Sequence, residues 1–220
     1  MENYQIKKTD DGSNTIYSSL FDSTYHSIHG ALAESEYVFI KNGLSIANEN
    51  GFNKLEIFEM GFGTGLNALL SCEFATLNQI EIIYTAIDTY PLPQSIIDNI
   101  SKNNLHMSIL NTPWGTVYQL TKHFSLHKIN IDLFSFLHQN SKTFDVIYYD
   151  AFGPKSQPEL WEDSVFEQLA SILKPNGVFT TYGSKGSVKR ALLSSGLEVK
   201  RLEGPPGKRH MLMALKPNLL

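Results

Sequence analysis

The segment that most constrains this chain runs from residue 55 to 67. Leu55–Met60 is apolar and β-prone. It passes directly into Glu59-Met-Gly61-Phe-Gly63-Thr-Gly65-Leu-Asn67, which opens a helical run, Leu66–Leu77. Glycines reach backbone conformations closed to other residues and let the chain pass close to a ligand. A strand that ends on alternating glycines before a helix is therefore a ligand-binding turn of an open α/β sheet. The spacing is Gly-x-Gly-x-Gly, whereas dinucleotide folds use Gly-x-Gly-x-x-Gly to face a helix N-terminus to a pyrophosphate. Glu59 stands two residues before the first glycine. A carboxylate there suits a cationic ligand, such as the ammonium of a methionine tail, and repels a pyrophosphate. Taken alone, the glycines are a weak signal and also fit a plain strand-to-helix turn.

From Lys54 onward strands and helices alternate. Ile80–Ile87, Asp145–Tyr149 and Val178–Tyr182 read as buried strands, with a short one at Lys128–Ile131. Helices are expected at Gln94–Lys102, Leu133–Gln139, Pro158–Leu173 and Gly186–Ser195, and residues 105–128 read as an irregular insertion. Parallel neighbours need helical crossovers. Glu198–Leu202 and Met211–Leu215 share only a short Gly-Pro-Pro-Gly connection, so they are expected to pair antiparallel. A mostly parallel sheet closed by an antiparallel C-terminal hairpin is the outline of a class I (Rossmann-like) methyltransferase. Ahead of it, residues 1–45 read as a small N-terminal extension. Tyr4–Lys8 and Thr15–Ser19 form a hairpin around Asp10–Asn14, followed by a loop, Phe21–His29, and an amphipathic stretch, Ala31–Asn48, ending at Gly51. One domain over residues 1–220 is expected.

Composition excludes several classes. No apolar run is long enough to span a bilayer, and the N-terminus lacks the pattern of a secretion signal. The one cysteine, Cys72, lies in an apolar helical pattern and reads as a buried small hydrophobe. A cytoplasmic protein is expected, without membrane or metal partners. The net charge of −4 argues against indiscriminate coating of nucleic acid, yet it is unevenly spread. Residues 185–220 carry Lys185, Lys189, Arg190, Lys200, Arg201, Lys208, Arg209 and Lys216 against Glu198 and Glu203, so the remainder holds −10. A local phosphate-binding face and a merely solvated helix face both explain that asymmetry.

Three further acids end expected strands. Asp88 follows Gly65 by 23 residues, where an acid accepts hydrogen bonds from ribose hydroxyls, although it also suits a helix N-cap. Asp132 has the same two readings, an adenine acceptor or the N-cap of Leu133–Gln139. Asp150 opens Asp150-Ala-Phe152-Gly-Pro154, a loop leading to Pro158 and Trp161. Ligands bind open sheets at such carboxyl ends.

These blocks resemble one family, the stand-alone MnmD-type tRNA methyltransferases, and are similar to the methyltransferase half of the bifunctional MnmC enzymes. The likeness also uses Tyr25-His26-Ser27, Gly30–Ser35, Tyr37–Ile40, Tyr90-Pro91-Leu92 and Gly207-Lys208-Arg209. It departs at Tyr37, where the pattern has histidine, and at Asp88, where some relatives have glutamate. The resemblance implies S-adenosylmethionine as donor and a tRNA anticodon region as partner. The implied reaction is N-methylation of 5-aminomethyl-2-thiouridine at the wobble position to 5-methylaminomethyl-2-thiouridine. It implies that Glu59, Gly61, Phe62, Gly63, Gly65, Asn67, Asp88 and Asp132 hold the donor, with Tyr25 and Glu34 closing over it. Asp150 is implied beside the reacting amine and Phe152 with Pro154 around the base. Lys185, Lys189, Arg190, Lys208 and Arg209 are expected on tRNA phosphates. No flavin-binding oxidase half is seen, so only an amine already unmasked by other enzymes is an expected acceptor, which implies functional coupling to the enzymes that make it. Two rival readings remain: an aminopropyltransferase resembling spermidine synthases, and a non-catalytic RNA-binding relic of the fold.

Overall fold

The computed structural model describes residues 3–49 and 53–218. The expected helix end at Gly51, and Met1 and Glu2 of the N-terminal extension, lie outside the described residues. Strands β1 (Tyr4–Lys8) and β2 (Asn14–Ser18) form the hairpin, with Ile6 opposite Ile16. Asp11 holds its turn, accepting from Thr9 Oγ1 at 2.6 Å and Ser13 N at 3.0 Å. A two-residue strand, β3 (Ser23–Thr24), adds to β2 inside the segment expected as loop. Two residues are too few to carry a period that sequence can reveal.

The amphipathic stretch is one continuous helix: α1 (Ala31–Ser35), a π-helical stretch (Glu36–Leu44) and α2 (Ser45–Asn48), with right-handed helical dihedrals at both junctions. It packs on the main sheet, where Phe39 lies 5.1 Å from Tyr148 between ring centroids. Residues 31–48 thus cover a sheet face instead of extending from it.

The main body continues with β4 (Lys54–Met60), α3 (Leu66–Asn78), β5 (Glu81–Asp88), α4 (Gln94–Ile100), α5 (Asn104–Asn111), β6 (Val117–Thr121) and β7 (Phe124–Asn130). Then follow α6 (Leu133–Gln139), β8 (Phe144–Tyr149), a 3₁₀ turn (Pro158–Trp161), α7 (Asp163–Ile172), β9 (Leu173–Thr181), α8 (Gly186–Ser194), β10 (Glu198–Glu203) and β11 (His210–Leu215). Residues 105–128 are therefore regular, not an irregular insertion. Asn103 caps α5 by accepting from His106 N, and β6 pairs antiparallel with β7. Strand β6 faces solvent, and β7 buries Lys128 at the place where an apolar residue completes the alternation. The expected helix over 158–173 is broken at Glu162, whose ψ of 152° is extended. Strand β9 begins earlier than expected, and its irregular pairing with β8 absorbs Lys174–Gly177.

The eight-stranded sheet has the order β10-β11-β9-β8-β4-β5-β7-β6. Pairs among β7, β5, β4, β8 and β9 are parallel, while β11 lies antiparallel to β9 and to β10. One core lies under the 31–48 helix, α3 and α5, and the other under α6, α7 and α8. From β4 the chain winds outward through β5 and β7, then returns to β8 on the other side. The switch point between β4 and β8 is where open sheets form a ligand crevice. No helix among the described residues is long and apolar enough to cross a membrane.

At the opposite end of the sheet, Asp145 ties three strands together. Its Oδ2 accepts from Glu56 N at 2.7 Å and from Lys174 Nζ at 2.9 Å. Asp145→Ala orphans a backbone donor and weakens the lysine's pairing. Urea unfolding should show a loss of about 2 kcal/mol.

Candidate active site

The glycine turn leaves the carboxyl end of β4 under strict local control. Gly61, Gly63 and Gly65 have φ of 93°, 49° and 68°. Gly61 N and Phe62 N both donate to Ile87 O at 3.1 Å, which anchors the turn to β5. Asp150 N donates to Met60 O at 3.0 Å, bringing the chain after β8 alongside. A Cβ on Gly61 would lie 2.8 Å from Asp150 O, so only glycine fits this approach.

A cavity of about 300 Å³ opens over these strand ends. Of the residues singled out by sequence, Tyr25, Glu34, Gly61, Phe62, Gly63, Asn67, Asp88, Asp150, Phe152 and Lys208 line it. Glu59 and Gly65 lie directly behind the lining. Asn67 joins the two halves: its Nδ2 donates to Glu59 Oε1 and to Asp150 Oδ2, each at 2.9 Å. Burial pushes the Glu59 carboxyl well above its ordinary range, opposed by the Asn67 hydrogen bond and reinforced by Asp150. Burial also raises Asp150, helped by the Glu34 charge and opposed by Asn67 and Lys208, to about 7. Asp88 fastens the turn, accepting from Gly63 N at 2.9 Å and Tyr90 N at 2.8 Å.

Three segments far apart in sequence form the mouth. Phe152 stacks on Phe21 at 4.2 Å and meets Tyr25 edge-on at 5.0 Å, while Phe21 also meets Tyr90 at 5.5 Å. The loop is held from behind by Tyr182 Oη donating to Ala151 O at 2.6 Å and Trp161 Nε1 donating to Phe152 O at 2.7 Å. Ser156 Oγ donates to Phe21 O at 2.8 Å and fixes the N-terminal strap. Burial drives His26 down to about 4, so it is neutral, with Nε2 3.3 Å from Thr64 Oγ1.

Sequence reasoning did not single out Phe21, Tyr90 or Tyr182 as site residues, because their partners are distant in the chain. It also placed some residues differently. Lys208 turns inward: its ammonium is bonded to Glu34 and sits 3.6 Å from the Tyr182 ring centroid, so it belongs to the cavity wall and not to a free phosphate-binding face. Asp132 takes the second of its two expected readings, capping α6 by accepting from Ser135 N at 2.9 Å, and does not line the cavity. Pro154, Lys185, Lys189, Arg190 and Arg209 are also outside the lining. Lys185, Arg190 and Arg209 are exposed and Lys189 half-buried. No cluster of potential metal ligands occurs among the described residues.

The sheet order, the glycine turn at its switch point and acids ending β5 and following β8 together define a class I methyltransferase. The residues present fit S-adenosylmethionine. Asn67 Oδ1 is buried without a hydrogen-bond partner, an acceptor suited to an amino group. The Asp88 carboxylate ends β5 in the cavity lining, the place where an acid suits ribose hydroxyls. The chain belongs to a family of S-adenosyl-L-methionine-dependent methyltransferases, whose profile matches residues 99–217. It is 30% identical over 217 residues to the tRNA 5-methylaminomethyl-2-thiouridine biosynthesis bifunctional protein MnmC of Paraburkholderia phymatum, covering 90% of this chain and 33% of that protein. It is 28% identical to MnmC of Actinobacillus pleuropneumoniae serotype 5b, covering 93% of this chain and 34% of that protein. The chain therefore spans about a third of the length of the curated relatives it matches. The crystal structure of MnmC2 from Aquifex aeolicus superposes with a TM-score of 0.81 at 22% identity, covering 100% of this chain and 74% of that one.

The capping bond of Asp132 sets its own expectation. Asp132→Ala should cost about 1 kcal/mol in thermal unfolding, and Asp132→Asn, an equally good N-cap, should restore most of it.

Proposed function

We propose that this methyltransferase acts on tRNA, transferring a methyl group to the aminomethyl nitrogen of 5-aminomethyl-2-thiouridine at the wobble position. The observation that carries this reading is the Asp150 carboxyl in the cavity wall, pinned by Asn67 and tuned to about 7. The relatives named for 5-methylaminomethyl-2-thiouridine biosynthesis, matched over nine-tenths of the chain, support the acceptor.

S-adenosylmethionine, when bound, supplies a methyl group carried on a sulfonium. An aminomethyl nitrogen is protonated at neutral pH and must lose a proton before its lone pair can attack. Asp150 accepts that proton, converting ammonium to amine and carboxylate to acid. A base with a pKa near the working pH is matched to this task. Glu34 raises its basicity and Lys208 limits the rise. Phe152, Phe21 and Tyr25 give flat apolar walls suited to a base turned out of its stack. Glu59, Asn67 and Asp88 are assigned to the donor.

The family match favours methyl transfer over the aminopropyl alternative. Phosphate contacts fit the exposed cations Lys185, Arg190 and Arg209 with the half-buried Lys189, at the start of α8 and on the β10–β11 loop.

The test is mass analysis of wobble nucleosides from tRNA bearing the aminomethyl base, incubated with protein and S-adenosylmethionine. Gain of one methyl on that base is expected, and an unmodified base rejects the proposal. Asp150→Asn should slow single-turnover methylation by ~10²–10⁴-fold with donor binding retained. The wild-type rate should rise as pH passes about 7, because deprotonation creates the base, and the variant should lose that limb. Replacing Lys189, Arg190 and Arg209 together with Ala should flatten the salt dependence of tRNA binding by about 2 in log–log slope.

A further inference from the structure

Strand β7 buries an alternating set, Phe124, Leu126 and Lys128, and Lys128 is only 1% exposed. Among the described residues no carboxylate lies at ion-pair distance from it. An uncompensated buried cation is costly, and its contacts must offset that cost. Its Nζ donates to Leu110 O at 2.7 Å and Ile109 O at 3.3 Å, carbonyls at the C-terminal end of α5, where the helix dipole favours a cation. The same Nζ lies 4.9 Å from the Phe62 ring centroid and 4.8 Å from that of Trp114. The two rings meet edge to face at 5.6 Å. Burial lowers the ammonium to about 8, so it stays mostly charged at neutral pH.

These partners converge on one glycine. A Cβ on Gly65 would meet Phe62 Cζ at 2.9 Å, Ile109 Cγ2 at 3.4 Å and Leu110 Cδ2 at 3.4 Å. The ring and the two helix residues that enclose Gly65 are thus the ones Lys128 holds. We propose that Lys128 is a positioning residue for S-adenosylmethionine: it clamps Phe62 and the end of α5 around Gly65, fixing the glycine turn from behind without lining the cavity. Phe62 N and Gly65 N belong to the turn's own hydrogen bonds, to Ile87 O and Phe62 O, so a shift of the ring is a shift of the turn. The inference rests on the methyltransferase class alone and is independent of the acceptor.

Lys128→Met keeps the side-chain length and removes the charge and its hydrogen bonds. Calorimetry should find S-adenosylmethionine bound about tenfold more weakly than by wild type. Kinetics should place the loss in the donor KM, with kcat at saturating donor and the acceptor KM within about twofold. Unchanged donor affinity overturns the proposal. So does a fall in kcat with a rise in both KM values, the mark of general loosening. Should Lys128→Met fail to fold, Trp114→Leu decides. It removes one face of the clamp outside the cavity, leaves the helix carbonyls bonded, and should weaken donor binding about threefold; unchanged binding overturns the proposal.

Discussion

One amide group holds the site together. Adjacent parallel strands at a switch point bring Glu59 and Asp150 to the same end of the sheet, where two carboxylates repel. The Asn67 amide presents two N–H donors and gives one to each acid. With both N–H groups given to the acids, the amide oxygen is left buried without a partner. Asn67 can do this only from the first turn of α3, and α3 can start there only because Gly65 is left-handed. The turn, the helix start and the tuning of Asp150 are therefore one construction.

Charge then divides the molecule's labour. Three acids, Glu34, Asp88 and Asp150, line the cavity against Lys208 as the cation among the lining residues, while burial pushes Glu59 behind them toward its neutral form. His26 adds nothing, being held neutral. A wall of this sign draws in cationic groups and repels phosphate, so contacts to a polyanionic partner must be made elsewhere. The exposed cations of α8 and the β10–β11 loop are on the other side of that division.

Much of this was legible in the sequence because it is local. Leu55–Asn67 carries its strand, turn and helix within a dozen residues, and the C-terminal hairpin follows from the lack of room for a crossover. The missed elements are those whose pattern depends on distant partners. Strand β6 is an edge facing solvent, so it has no apolar alternation, and α5 is short and capped by Asn103, an ordinary loop residue. The aromatic mouth was illegible for the same reason: Phe21 and Phe152 stack across 130 intervening positions.

The two lysines show how far that limit reaches. Lysine in sequence reads as solvated surface, since its isolated charge is costly to bury. Lys208 and Lys128 both turn inward because aromatic faces and oxygen acceptors await them: Tyr182 and Glu34 for one, Phe62, Trp114 and two helix-end carbonyls for the other. Each set of partners is drawn from separate elements and exists only once the sheet is assembled. In β7 the buried lysine also hides the strand itself, since Phe-x-Leu-x-Lys breaks the apolar alternation at the residue whose burial matters most. A polar residue that spoils a predicted period is thus a place to look for function, because burial there has to be sustained by contacts made elsewhere in the fold.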